Sequence, residues 1–181
     1  MNNLYKKYKE EILPILREEF NIANDLAAPA IKKVVLNVGA GEALSSKDVI
    51  GKIKDQVAQI TGQNPRITLA KKSISTFKLK KGDAIGVMVT LRGKKAWDFI
   101  ENFISIVVPR MRDFRGLEKT KFDHMGNYNL GITEQILFPQ IEYSKVDKIR
   151  GLEVTFVISN SNPEKSARFF EIMGLPFRKS T

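Results

Sequence analysis

Residues Ala84–Arg92 alternate without interruption. Ile85, Val87, Val89 and Leu91 fall on one side, and Gly86, Met88, Thr90 and Arg92 on the other. A period of two sends successive side chains to opposite faces of an extended chain, so this segment reads as a strand with one apolar and one polar face. Upstream, Arg66–Ala70 reads as a second strand, and a turn at Lys81-Gly82-Asp83 leads back into the first. Two strands joined this way pair antiparallel. The expected unit is a hairpin with a long tip.

That tip is basic. Arg66 to Gly82 holds Arg66, Lys71, Lys72, Lys78, Lys80 and Lys81 and no acidic residue, with Phe77 set among Ser73, Ser75 and Thr76. Cations without counter-charges repel one another, and a polyanion lying against them removes that cost. An aromatic ring inside such a cluster offers a stacking surface for a base. The plain alternative is a solvated lysine-rich loop. For Phe77 itself, stacking on a base and packing on the sheet both remain open. With few apolar residues, the tip is expected to lack fixed structure when free. The whole chain leans the same way: 181 residues carry a formal net charge of +10, which favours an acidic partner such as RNA, DNA or an anionic membrane face.

Helices flank the strands. Leu4, Tyr8, Ile12, Ile15, Leu16 and Phe20 recur at helical spacing over Asn3–Phe20, with Pro14 expected to kink or split that helix. Ile31–Val38 is a strand in which Val34, Leu36 and Val38 oppose Lys33, Val35 and Asn37. After Gly39-Ala-Gly41, Ser45 or Ser46 caps a helix whose stripe is Val49, Ile50, Ile53, Val57 and Ile60, and Gly62 stops it. Lys94 to about Val108 is a longer helix closed by Pro109, with Trp97, Ile100, Phe103, Ile104 and Val107 on its apolar face. Arg110–Gly131 is polar and irregular, hence functional or partly strand. Leu152–Ser159 is a strand, and Asn162-Pro163-Glu164 opens a last helix that Gly174 and Pro176 end. No linker divides the chain, so residues 1–181 are expected to form a single domain. Its fold class is α+β: an antiparallel sheet with helices packed on one face, the other face polar and RNA-binding, and a long basic hairpin arm.

Other chemistry finds little support. Cysteine is absent, which removes disulfides, thiolate metal sites and cysteine nucleophiles. His124 is the only histidine and reads as a surface or capping residue. Gly39-Ala-Gly41 follows a strand, but position 44 is Leu44 and Gly41 is followed by Glu42 rather than a phosphate-binding lysine, so it reads as a tight connection or a close approach to RNA. The carboxylates are scattered. No catalytic residue, metal, cofactor or small-molecule substrate is expected. Arg110, Arg112 and Arg115, with only Asp113 between them to compensate, form either a solvated face or a second contact surface. The longest apolar runs are far shorter than the roughly 20 residues of a membrane span, and the N-terminus has no signal-peptide core, so a cytosolic protein is expected. A nucleic-acid-processing enzyme and a basic membrane-surface module are the rival readings. The second lacks a basic amphipathic helix with a broad apolar face.

Several longer segments carry a resemblance. They are Tyr8–Leu16 (YKEEILPIL), Lys33–Gly41 (KVVLNVGAG), Ile60–Pro65 (ITGQNP), Ala70–Gly82 (AKKSISTFKLKKG), Val108–Gly116 (VPRMRDFRG), Asn129–Gln135 (NLGITEQ) and Phe138–Ile141 (FPQI). In this order, over nearly the whole length, the chain resembles the bacterial L-five family of large-subunit ribosomal proteins. The resemblance implies a structural, non-catalytic protein of the cytoplasmic ribosome that binds 5S ribosomal RNA and large-subunit RNA and helps attach the 5S RNA in the central protuberance.

It also implies residue roles. Asn37, Gln63, Phe77 and Thr90 match positions where the family contacts RNA, and Lys33, Arg66, Lys71, Lys72 and Arg92 stand beside them as the cationic part of that surface. The arm from Lys71 to Gly82, through Ser75, Thr76, Phe77, Lys78, Lys80 and Lys81, is expected to approach P-site tRNA. A bridge to a protein of the small-subunit head is expected from Arg110, Arg112 and Arg115 and from Thr133–Ile149.

Overall fold

The structure, a computed structural model, describes residues 3–178 apart from 45, 47 and 112–115, and of Lys145 only the backbone. Five strands form one antiparallel sheet: β1 (Ala30–Gly39), β2 (Arg66–Leu69), β3 (Ala84–Leu91), β4 (Tyr128–Ile132) and β5 (Leu152–Ser159), in the order β2-β3-β1-β5-β4. Four helices accompany it: α1 (residues 3–19), α2 (Asp48–Thr61), α3 (residues 93–110) and α4 (Pro163–Met173). The α+β class read from the sequence is the observed one.

One sheet face is buried and the other is not. Val34, Leu36 and Val38 of β1, Val87, Val89 and Leu91 of β3, and Leu152, Val154, Phe156 and Ile158 of β5 are all at most 5% exposed. Lys33, Val35 and Asn37, like Met88 and Thr90, are half-buried on the opposite face. The alternation breaks only at the start of β3, where Ile85 is half-exposed and Gly86 is buried. A Cβ on Gly86 would lie 2.8 Å from both the Val38 carbonyl oxygen and Thr68 Oγ1, so only glycine lets β1 and β2 approach β3 this closely.

Both long helices absorb a proline in the same way. In α1 the turn Tyr8–Ile12 is a π-turn, and the Leu13 N–H donates to the Tyr8 carbonyl five residues back. In α3 the π-turn is Phe103–Val107, and the Val108 N–H donates to the Phe103 carbonyl. Pro14 and Pro109 come immediately after these bonds. Proline has no N–H, and its ring collides with the carbonyl four residues back. A wider turn ahead of it relieves that collision and the helix runs on. Pro14 therefore does not split α1, and Pro109 lies inside α3, which ends at Arg110.

The chain divides into two compact units, with boundaries inside β1, β4 and β5. Residues 1–34, 92–130 and 155–181 make the first. Its core is aromatic: Tyr8 lies 5.1 Å from Trp97 and 5.7 Å from Phe169, and Phe156 of β5 lies 5.5 Å from Phe103 and 5.6 Å from Phe170. Phe99, Phe103, Phe169 and Phe170 are core residues. The Asn162 side chain accepts from the Lys165 N–H at 2.8 Å, and Pro163 holds the first position of α4. The irregular stretch after Arg110 proves partly strand, ending in β4.

Val35–Leu91 and Gly131–Val154 make the second unit. Here α2 lies against β3 and buries Ile53, Val57 and Ile60, while Val49 and Ile50, expected in the same stripe, are only half-buried near the start of the helix. Gly62 ends α2 at φ +61, the left-handed conformation that favours glycine. Of the two candidate caps, Ser45 lies outside the described residues, and the Ser46 carbonyl accepts from the Val49 N–H at 3.3 Å.

Candidate nucleic-acid interface

The hairpin expected from residues 66–92 is present. β2 and β3 pair antiparallel, with Arg66 opposite Met88, Ile67 opposite Val87 and Thr68 opposite Gly86. At its base the Ala70 N–H donates to the Asp83 carbonyl at 2.8 Å, and the Gly82 N–H donates to the Ala70 carbonyl at 2.9 Å. At its tip Ile74 and Leu79 exchange two backbone hydrogen bonds of 2.9 and 3.1 Å. They enclose the 3₁₀ turn Ser75–Phe77 and Lys78, which is left-handed at φ +49. The low apolar content predicts an arm without fixed structure, but the structure gives it a double-bridged hairpin. Its hydrogen bonds are made by the main chain and by short polar side chains, which apolar content does not report.

Arg66, Lys71, Lys72, Lys78, Lys80 and Lys81 are all exposed, and among the described residues none of them forms an ion pair. Ser75 and Thr76 are exposed beside them. Phe77 is 69% exposed, so of its two sequence readings packing on the sheet is not realised. A ring that open among uncompensated cations is a surface for a planar, negatively charged ligand.

Beside the arm, the open face of the sheet carries the polar candidates. Asn37 stands in β1 between the buried Leu36 and Val38, and Thr90 in β3 between the buried Val89 and Leu91. Gln63 follows α2, and its Nε2 donates to the Thr90 carbonyl at 3.1 Å. The Thr61 hydroxyl lies 2.7 Å from the Val57 carbonyl oxygen and 3.2 Å from that of Gln63, which steadies this turn. The hairpin register puts Arg66 and Thr68 on the same face as Met88 and Thr90. Lys33, half-buried, shares its face of β1 with Asn37, and the exposed Arg92 directly follows β3. Asparagine, glutamine and threonine donate and accept hydrogen bonds to base edges and 2′-hydroxyls, whereas the lysines attract phosphate without regard to sequence.

One cluster escaped sequence reasoning. Arg150, whose side chain is 8% exposed, donates through Nε to Glu42 at 2.5 Å and grips Asp147 with two bonds of 2.7 and 3.1 Å. Lys148 also reaches Glu42 at 2.8 Å, and Lys52 lies 3.6 Å from Asp147. Gln135 accepts from the Arg150 backbone N–H and donates through Nε2 to the Lys148 carbonyl at 2.7 Å. The bonds to Arg150 hold the Asp147 carboxyl well below its usual range, and those from Lys148 and Arg150 lower Glu42. This network fastens the segment before β5 to the turn Gly41–Leu44. The glycine-flanked connection at 39–41 thus serves a structural anchor through Glu42. Its partners lie about a hundred residues apart in sequence, so no local pattern announces it.

The remaining candidates are more scattered. Arg110 is exposed at the end of α3, and Arg112 and Arg115 lie outside the described residues. In residues 133–149, Tyr143 and Ile149 are exposed at 74% and 49%. His124 is exposed. Among the described residues no group of three or more histidines or carboxylates is placed to hold a metal, and no helix is long and apolar enough to cross a membrane.

Comparison with known proteins identifies the family. Residues 24–80 match the family described as ribosomal protein L5, and residues 84–177 match the C-terminus of the same ribosomal family. The chain belongs to the L5 family of ribosomal proteins. Similar chains include the large ribosomal subunit protein uL5 of Chloroflexus aggregans, 48% identical over 175 residues, covering 97% of both chains. The protein of the same name from Carboxydothermus hydrogenoformans is 42% identical over 179 residues, covering 99% of this chain and all of that one. The L5 family is non-enzymatic, so the reading as a nucleic-acid-processing enzyme is set aside.

Proposed function

We propose that this chain, a structural component of the large subunit of the cytoplasmic bacterial ribosome, binds 5S ribosomal RNA and helps hold it in the central protuberance. Its second unit offers two surfaces suited to that work. Asn37, Gln63 and Thr90 supply hydrogen-bonding groups on the open sheet face, with Arg66 alongside. The arm supplies attraction to phosphate through Lys71, Lys72, Lys78, Lys80 and Lys81 and a ring for stacking through Phe77. The observation that carries this reading is the exposure of Phe77 within a run of six cations that form no ion pair among the described residues.

In the assembled ribosome the arm, through Ser75–Lys81, reaches P-site tRNA. Contact with a protein of the small-subunit head is assigned to the stretch of sequence holding Arg110, Arg112 and Arg115 and, separately, to Thr133–Ile149 with its exposed Tyr143. We read residues 1–181 as a single RNA-binding domain, a reading supported by the absence of any linker-like segment in the sequence.

Binding of the purified protein to a 5S RNA transcript, in competition with heparin, tests this. About five phosphate contacts predict a slope of log affinity against log salt of roughly −3 to −5. Equal affinity for the transcript and for heparin would sink the assignment.

A further inference from the structure

Between its two backbone bridges the arm has a stalk, residues 71–73 and 80–82, that the main-chain ladder leaves open. One side chain reaches across it, and another ties its return side into a turn. The Asp83 carboxylate accepts from the Lys80 N–H at 2.7 Å, and Ser73 Oγ accepts from the Lys81 N–H at 2.9 Å. Asp83 also receives a second tie, its own N–H donating to the Lys80 carbonyl at 3.1 Å. Consecutive lysines are thereby held by their main chain while their ammonium groups stay free, and Lys78 is held in the left-handed conformation at the turn.

We propose that Asp83 and Ser73 are positioning residues of the arm: they hold it in its RNA-ready shape, so that the lysines and Phe77 meet the ligand without first losing the freedom of an open loop. This rests on the reading of the arm as RNA-facing. The placement of Asp83 makes the proposal sharp. It is the acidic residue that ends a run of seventeen residues holding six cations and no other acid. By charge alone it opposes a polyanion, and its removal should tighten binding. As an anchor it favours binding, because a preordered arm loses less conformational entropy on association.

The two effects have opposite signs, and a pair of substitutions separates them. Asp83→Ala removes charge and acceptor together. Asp83→Asn removes the charge and keeps a carbonyl oxygen that can accept from Lys80. Affinity of the full-length variants for a tRNA transcript and a 5S RNA transcript is measured together with hydrogen exchange at the Lys80 and Lys81 amides. Asp83→Ala is expected to weaken binding roughly threefold to tenfold despite the gain in net positive charge, with loss of protection at Lys80. Asp83→Asn is expected to bind as well as wild type or better, with that protection kept. Ser73→Ala is expected to lose protection at Lys81 and to weaken binding in the same sense.

Tighter binding by Asp83→Ala, or unchanged exchange at Lys80, overturns the proposal while leaving the RNA-facing arm intact. Failure of wild type to bind either transcript overturns the RNA reading itself and this assignment with it.

Discussion

The side-chain amide of Gln63 donates to the carbonyl of Thr90 at 3.1 Å, tying the turn after α2 to the end of β3. Two residues 27 apart in sequence, both proposed to contact RNA, are thus joined by a bond that fixes their spacing. Gln63→Ala is expected to lower stability by about 0.5–1.5 kcal/mol, the usual worth of one such bond, measured by urea denaturation. It should also weaken binding of 5S RNA. A loss of stability with no loss of RNA affinity would restrict Gln63 to a structural role.

Phe77 offers the opposite combination. It is 69% exposed, so Phe77→Ala should leave the urea midpoint unchanged. If the ring stacks on a base, RNA affinity falls by about 1–3 kcal/mol. Titration of RNA into both proteins at one fixed salt concentration decides the point.

Arg150 is the residue whose loss should unsettle the second unit most. Arg150→Met leaves Glu42 and Asp147 without their shared partner. The expected cost is about 2–3 kcal/mol, less than for a fully buried pair, because both carboxylates keep some solvent contact and lysine neighbours. The same network sets a pH dependence. Carboxyls whose folded-state pKa is depressed add stability above their unfolded values and lose it as pH falls through the folded ones. Stability is therefore full at neutral pH and declines from about pH 4 downward. Urea midpoints across that range should fall more steeply for wild type than for Arg150→Met.

Burial sets a second limit at high pH. Tyr8 and Tyr128 are buried, and desolvation pushes both phenols up to about 12. Tyr8 also donates to the Pro29 carbonyl at 3.0 Å, and Tyr128 to that of Glu118 at 3.2 Å. The fold favours the neutral phenol, so its contribution is complete below the unfolded value of about 10 and is lost as pH rises toward 12. Spectroscopic titration of tyrosinate should show these two ionising late, together with the alkaline unfolding transition. Tyr8→Phe should make that transition less steep.

Gly86 is held by space rather than by backbone conformation. An added Cβ would meet Thr68 Oγ1 and the Val38 carbonyl oxygen, each at 2.8 Å. The threonine can rotate away, but the carbonyl belongs to a paired strand and cannot. Gly86→Ala is expected to cost about 1–3 kcal/mol. The double variant with Thr68→Ala should recover only a minor part of that, as thermal denaturation of the single and double variants would show.

Much of this was legible in the residues. The alternation in β1, β3 and β5 identified the buried sheet face, because side-chain period and burial are two expressions of one geometry. Asn162, Pro163 and Gly174 marked the ends of α4 by local chemistry alone. The run of lysines around Phe77 located the arm. The local rules offered a kink or a split at Pro14 and a stop at Pro109; a π-turn ahead of each proline avoids the split and carries α3 one residue past Pro109. They also missed Ser73 and Asp83 as anchors, since a serine and an aspartate beside a turn look the same whether or not an N–H points at them.

The sequence by itself determined four of the five strands, the helices, their polarity and the place of the cationic run, since these follow from periodicity, capping and charge within a few neighbouring residues, whereas β4 lay in a stretch without such a pattern. Only the tertiary structure decided that Gln63 meets Thr90, that Arg150 meets Glu42 and that Ser73 meets Lys81 across the arm. Each of those depends on distances between atoms of separate segments, which come into existence only when the sheet forms and brings distant stretches of chain together.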